Sequence, residues 1–251
     1  MSHFITLLLH ELKSLSRSIS TYIAGGVFLL LMGTLYMLIL GEFSRRAQTG
    51  SPTEQFFELF WVPFFLLIPM LTMRSISEER RRGTLETLMT TPVSAVEIVV
   101  TKFLAAYLLY CLLWSLTALF PVIAAWRLGN PILMERLIDT GSMIGGYSYV
   151  AISGLLAISL GIFCSSLTRT QLVAGMLCLC MLFILIVGLA VMRYQANAWP
   201  GWLDGTVEYF DLIKHRDDYL KGVIDTRPLL FYVSSCFLFL GLSVIVVESK
   251  A

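Results

Sequence analysis

LVAGMLCLCMLFILIVGLAVM, residues 172–192, contains no charged residue and no proline. A helix of this length rises about 30 Å at 1.5 Å per residue, which matches the hydrocarbon core of a bilayer. Once this stretch is read as a membrane span, comparable apolar runs stand out on both sides of it. They are Ile19 to Leu40, Phe56 to Met73, a run within Phe103 to Ala125, one from about Ser142 to Phe163, and Leu229 to Val247. Pro63 and Pro69 predict a kink in the second. The fold class expected is an all-α polytopic membrane protein with six transmembrane helices.

Composition agrees. The chain of 251 residues is 57% apolar and 14% charged, against about 25% charge in soluble domains. Its mean hydropathy is +0.79. Soluble globular, disordered, collagen-like and disulfide-stapled classes are excluded. A net charge of +1 gives no pull toward nucleic acid. Cys111, Cys164, Cys178, Cys180 and Cys236 all lie in or beside apolar runs and read as small buried hydrophobes. Cys178 and Cys180 would point about 200° apart on a helix, which argues against shared metal ligation.

The first 18 residues are amphipathic. Phe4, Leu8, Leu12 and Leu15 form a stripe widened by Ile5 and Leu9, with Lys13, Ser14 and Arg17 off it. The pattern suits a helix lying in the headgroup layer, retained rather than cleaved. With six spans both termini lie on one side. The 18 Lys and Arg then divide evenly between the two sides, so positive charge does not orient the chain. Span interiors carry no charge; Glu58 sits near one end of the second span and Glu97 precedes the third. That counts against ion coupling, which usually needs an intramembrane ionisable group. Ser153, Ala157 and Gly161 make a small-xxx-small row on the fourth span, and Gly25, Gly26 and Gly33 a looser one on the first. Both read either as packing within the subunit or as a subunit interface.

Residues 74–103, RSISEERRRGTLETLMTTPVSAVEIVVTKF, link the second and third spans. Ser75 and Glu78 have capping-box spacing and predict a short helix, which Gly83 interrupts and Pro92 stops. Leu85, Leu88 and Met89 share one face of a further two-turn amphipathic helix. Ser94 and Glu97 form a second capping box, with Val93 and Ile98 at its hydrophobic-staple positions. A helix running from Ala95 to Ile123 would be about 43 Å long, so its first turns project beyond the hydrocarbon. On composition alone, Glu78 to Arg82 reads as a solvated charge cluster.

The loop resembles the cytoplasmic loop of ATP-binding-cassette type-2 exporter permeases. The matching residues are Glu78, Glu79, Arg80 and Arg81, then Gly83-Thr84-Leu85-Glu86, Leu88, Pro92-Val93-Ser94, Glu97-Ile98 and Lys102-Phe103. Tyr209-Phe210, Lys221-Gly222-Val223-Ile224-Asp225, Tyr232 and the closing Glu248-Ser249-Lys250 resemble gliding-motility-associated permease subunits. The resemblance covers nearly the whole chain. It implies one transmembrane permease domain over residues 1–251, with an interfacial helix at 1–18, a cytoplasmic coupling loop at 74–102 and an extracytoplasmic segment at 193–227.

The resemblance also assigns roles. Glu78, Glu79, Arg80, Arg81 and Arg82 form the polar base of a coupling helix, and Gly83, Thr84, Leu85, Glu86, Leu88 and Met89 form that helix, which rests on a separate P-loop ATPase subunit. ATP and Mg bind that partner, and this chain carries no cofactor. A second permease, identical or related, completes the path. Phe57, Phe60, Trp61, Phe64 and Phe65 on the second span are candidates for the translocation path or for ordinary helix packing. The location implied is a bacterial inner membrane, with both termini cytoplasmic.

The segment 193–227 holds Trp199, Trp202, Tyr209, Phe210 and Tyr219, residues that seek the membrane interface. Tyr209, Leu212, Ile213, Arg216 and Leu220 predict a short amphipathic helix, either an ordered cap or a docking point for an extracytoplasmic accessory protein. No Gly-Lys pair exists for a phosphate-binding loop, and His3, His10 and His215 offer no metal or catalytic spacing. A catalytic set and a metal site are therefore not expected. Competing readings are a secondary carrier, a membrane-embedded enzyme, and a mechanotransmission or scaffold subunit of an ATPase-linked complex.

Overall fold

The computed structural model describes residues 2–45, 51–84, 93–128, 139–194, 209–223 and 225–249. Among these residues there are helices and no strands. Helix α1 (Ser2–Arg17) is followed at Ser18 by α2 (Ile19–Arg45). Then come α3 (Pro52–Glu58), α4 (Trp61–Thr72), α5 (Ser77–Arg82), α6 (Ala95–Thr117) and α7 (Leu119–Leu128). Helix α8 is Thr140–Leu167 and α9 is Gln171–Phe183, which continues through a π-helical turn at Ile184–Gly188 into α10 (Leu189–Tyr194). Last are α11 (Leu212–Leu220) and α12 (Thr226–Ser249). Five helical stretches are long and apolar enough to cross a membrane, and the bent pair α3–α4 makes a sixth span if counted as one. The chain is a polytopic all-α membrane protein.

Local chemistry explains the breaks. The second span bends by 48° at Leu59 and Phe60, one turn ahead of Pro63. The Pro63 ring crowds the Leu59 carbonyl and brings no N–H to it. Val62 N–H takes that carbonyl instead, in a tighter turn. Pro69 is carried inside α4, so the kink expected from it does not interrupt the helix. The third span forms one apolar helical stretch over Ala95–Arg127, as the sequence suggested, with a single turn residue at Ala118 between α6 and α7, where Pro121 brings no N–H to the Thr117 carbonyl. Thr117 Oγ donates to the Trp114 carbonyl and pairs with Tyr147 Oη at 3.0 Å.

Helix α8 is the hub. Of its apolar core, 72% is buried, against 22–33% for the other single-helix spans. It packs against α12, α9, α11, α6, α4 and α3. Small residues make this possible. A Cβ built on Gly146 would lie 2.4 Å from the Phe57 ring, on Gly154 2.4 Å from Tyr110, and on Gly161 2.3 Å from Thr72 Oγ. Ser153 and Ala157 are buried between them. The small-residue row is therefore a seam within the subunit. On the first span, Gly25 meets Leu113 and Gly33 meets Phe120, while Gly26 faces open space.

Two other expectations change. Cys178 is fully buried, but Cys180 is exposed on the outward side of α9, because two residues of helix turn them to opposite faces. Helix α1 does not only lie flat. Phe4, Leu8, Leu12 and Leu15 are half-buried and α1 packs along α6, while Ile5 and Leu9 face away from the bundle.

Gly145 is the tightest point of the seam: a Cβ there would lie 2.0 Å from the backbone oxygen of Tyr219 in α11. Backbone cannot move aside as a side chain can. Gly145→Ala should therefore loosen α11 and lower thermal stability in detergent, by roughly 1–3 kcal/mol in overpacking cost. Gly26→Ala should be neutral. Equal melting temperatures for the two variants would overturn the seam.

Candidate coupling site

The loop between the second and third spans is held from three sides. Helix α4 ends at Thr72, and a turn leads into α5. The Ser75–Glu78 capping box expected there does not form. The residue at the cap position is Ile76, with no side-chain cap of its own. Instead Ser165, at the far end of α8, takes the backbone N–H groups of Ile76 and Ser77 at 3.1 Å each. Its hydroxyl donates to the Met73 carbonyl at 3.3 Å. The orphan donors of a helix start are thus satisfied by a residue nearly ninety positions further along the chain. Arg80 Nη1 donates to the Ser166 carbonyl, placing a cation at the C-terminal end of α8, where the helix dipole favours it.

The third hold is ionic. Lys102 Nζ on α6 donates to Glu79 Oε1 on α5 at 2.5 Å and to Glu11 Oε1 on α1 at 2.8 Å. The Lys102 side chain is only 2% exposed. Two carboxylates around one buried ammonium compensate its desolvation, and the geometry joins α1, α5 and α6. Sequence reasoning named Lys102 only as part of a family motif and missed Glu11 as its partner. The signal was a lone acid on the half-buried side of an otherwise apolar stripe.

The remaining loop residues face out. Glu78 and Arg82 pair across one turn, and Arg81, Arg82, Gly83 and Thr84 are exposed. Gly83 ends α5 at φ +70°, with its N–H on the Arg80 and Glu79 carbonyls. A side chain there would be strained, which is why the chain leaves α5 at a glycine. Thr84 Oγ donates to the Glu79 carbonyl at 3.2 Å. Leu85, Glu86, Leu88 and Met89 lie outside the described residues. On the far side, the Ser94–Glu97 capping box forms as expected: Glu97 N–H donates to Ser94 Oγ at 3.2 Å, and Ser94 N–H to Glu97 Oε2 at 3.1 Å.

The aromatic residues of the second span sit deep in the bundle. Phe57, Phe60 and Phe64 are at most 2% exposed, while Trp61 and Phe65 are half-buried. Phe60 lies 5.4 Å from Trp114 and 5.7 Å from Tyr149, ring to ring, so it ties α4 to α6 and α8. Phe57 meets Tyr147 at 5.1 Å, and Phe65 meets Phe183 on α9 at 6.2 Å.

At the opposite end, Asp211 caps α11, and Leu212, His215, Arg216, Tyr219 and Leu220 form its buried face. Sequence periodicity found Leu212, Arg216 and Leu220. It missed His215 and Tyr219, and it placed Tyr209, which is exposed, on that face. Tyr149 Oη donates to the Leu212 carbonyl, and His215 Nδ1 lies 3.4 Å from Tyr232 Oη. Burial pulls the His215 imidazole below its ordinary range, against the opposing pull of Asp211 and Asp218. Arg216 reaches across to the Glu58 carbonyl. Among the described residues, no group of His, Cys, Asp and Glu could hold a metal ion.

Removing the shared cation tests the ionic hold. Lys102→Met leaves Glu11 and Glu79 facing each other without a counter-charge and should lower stability by roughly 3 kcal/mol. Adding Glu11→Gln and Glu79→Gln should recover much of the loss. Melting of the purified variants in detergent reads this out, and a wild-type transition for Lys102→Met alone would show that the triad does not bear on the fold.

No curated protein is similar enough to the chain to count as a match. One family does match: the sequence profile described as ABC-2 family transporter protein fits residues 5–214, which include both ends of the loop, its ionic base and the hub helix. A helical domain with five to six candidate membrane spans agrees with the membrane component of such a transporter, and the chain belongs to the ABC-2 transporter family.

Proposed function

We propose that this protein is the permease subunit of an ATP-driven exporter, and that it couples to a separate P-loop ATPase subunit carrying ATP and Mg. Family membership supports a transmembrane transporter subunit. The observation that carries the coupling role is the mounting of the loop. One end leaves α5 at Gly83, directly after the residues held by Lys102, Ser165 and Ser166. The other enters α6 through the Ser94–Glu97 cap. A segment fixed at both ends to membrane-spanning helices transmits a push to them instead of absorbing it by bending. In this reading Gly83, Thr84, Leu85, Glu86, Leu88 and Met89 contact the ATPase, while Glu79 and Arg80 act behind them as the anchor.

The path is completed by a second permease, identical or related, because spans without interior charge do not easily enclose a polar route alone. The half-buried edge of α4, at Trp61 and Phe65, is the side we assign to that path, with Phe57, Phe60 and Phe64 behind it as packing. The motifs around Tyr209-Phe210 and Lys221 to Asp225 favour the gliding-motility-associated subgroup. The cap formed by α11 is the place where an extracytoplasmic accessory protein would dock.

Co-purification tests the coupling assignment. Leu88→Asp places a carboxylate in the apolar contact, and burying it unpaired is costly. A buried Leu-sized side chain contributes roughly 1.5–3 kcal/mol, so this variant should insert normally in the membrane yet lose the ATPase subunit or its coupled activity. Full retention of both would sink the assignment.

Orientation is tested separately. Both termini and the loop at 74–102 are placed on the cytoplasmic side of a bacterial inner membrane. Thr84→Cys in a cysteine-free background should then resist an impermeant thiol reagent added to intact cells and react after permeabilisation. Labelling from outside would invert the topology.

A further inference from the structure

Between α6 and α8 the bundle leaves a cavity of about 280 Å³. Its α6 wall carries Cys111, Ser115 and Ala118, and its α8 wall Tyr147 and Ala151. Ser115 is exposed, so the cavity opens on the outside of the bundle. Both walls belong to helical stretches long and apolar enough to cross a membrane. Neither the loop nor the edge of α4 at Trp61 and Phe65 contributes to it.

Its polar groups say what fills it. Ser115 Oγ donates to the Leu112 carbonyl at 2.7 Å, and Tyr110 Oη to the Val150 carbonyl at 3.1 Å. Tyr147 Oη pairs with Thr117 Oγ. The indole nitrogen of Trp114 is sealed inside the bundle. Water entering here would find every reachable polar group already engaged, and a cavity of that kind stays dry and takes apolar guests. Left empty, it would forfeit dispersion contacts along its whole lining. A helix is too bulky for it, since one turn with its side chains fills roughly 400 Å³ or more.

The surface beyond Ser115 identifies the guest. Leu119, Val122 and Trp126 follow Ser115 at helical spacing on one face, and all three are exposed. Tryptophan at the end of a span sits at headgroup level. The helix from Ser115 to Trp126 rises about 16 Å, which is the depth of one leaflet in a hydrocarbon core about 30 Å thick. A lipid whose headgroup lies beside Trp126 therefore brings the end of its acyl chain to the cavity.

We propose that the cavity between α6 and α8 binds the terminal part of one phospholipid acyl chain, drawn from the leaflet at the end of the bundle remote from the 74–102 loop. The bound chain completes the packing of α6 on α8 where their side chains leave a gap. The site rests on the protein being membrane-embedded and not on export or ATPase coupling.

Tryptophan quenching by brominated lipid tests this. Trp114 lines the cavity yet is only 1% exposed. With Trp61→Phe, Trp126→Phe, Trp199→Phe and Trp202→Phe, it becomes the one tryptophan of the full chain. This protein is reconstituted in phosphatidylcholine vesicles brominated either near the chain end or near the carbonyl. Chain-end bromine should quench Trp114 strongly and carbonyl-end bromine weakly. Ser115→Leu, at an exposed position, and Ala151→Leu both fill the cavity and should remove most of the chain-end quenching. Leu238→Ala, on the exposed side of α12, should leave it unchanged. Equal quenching from both bromine positions, or quenching unaltered in both Ser115→Leu and Ala151→Leu, overturns the proposal. Quenching by aqueous iodide overturns it in favour of a wet cavity. A disulfide between two copies through Ser115→Cys in a cysteine-free background overturns it in favour of a second copy of this chain. Native mass spectrometry of the protein with its tryptophans intact gives an independent answer: phosphatidylcholine should be retained by the wild type and lost from Ser115→Leu, and equal retention by the two overturns the site. Neither measurement involves an ATPase subunit, so their failure leaves the coupling assignment standing.

Discussion

The close approach of neighbours to the small-residue face of α8 governs the rest of the structure. Inside a bilayer, lipid tails are as apolar as leucine, so helices gain little by leaving them for one another. What remains is contact quality and hydrogen bonding. Where Gly146, Gly154 and Gly161 stand, an aromatic ring or a threonine side chain occupies the space that a Cβ would take. Tyr110 then lies close enough to donate to the Val150 carbonyl, and Tyr107 to that of Ala151. Helices α3, α4, α5, α6, α9, α11 and α12 all pack against α8.

The same helix holds the base of the 74–102 loop at one end and α11 at the other. Its last turn supplies Ser165 and Ser166, which receive α5 and Arg80. Its first turns hold α11 through Gly145 and Tyr149. A displacement at the loop therefore has a rigid, mostly buried element through which to reach the opposite end of the bundle. Midway along the bundle, the Phe60 ring packs within 6 Å of both the Trp114 and the Tyr149 rings.

The loop base contrasts with that apolar interior. Lys102 is almost wholly enclosed, and two carboxylates from different helices share it. Such an arrangement is weak evidence for stability, since desolvation offsets much of the Coulomb gain. It is well suited to specifying geometry, because the ammonium can meet both acids in only one relative placement of α1, α5 and α6. Helix α1 thereby becomes part of the loop's mounting instead of a separate surface float, which its amphipathic pattern by itself would equally allow.

Signals carried by neighbouring residues were legible from the chain alone. A run such as residues 172–192 excludes every environment except a bilayer or a deep core, since exposing so much apolar surface to water is unfavourable. The Ser94–Glu97 cap and the turn at Gly83 also read correctly, because each is satisfied within a few residues. Resemblance in the loop motifs reached the family through local pattern as well. Where partners are distant in sequence, the reading failed or stayed open. Ser75 lost its capping role to Ser165, and the acid partnering Lys102 came from α1. Phe57, Phe60 and Phe64 proved buried while Trp61 and Phe65 did not, and His215 turned inward on α11. Helical periodicity says which residues share a face; only the packing of helices against one another decides what that face meets.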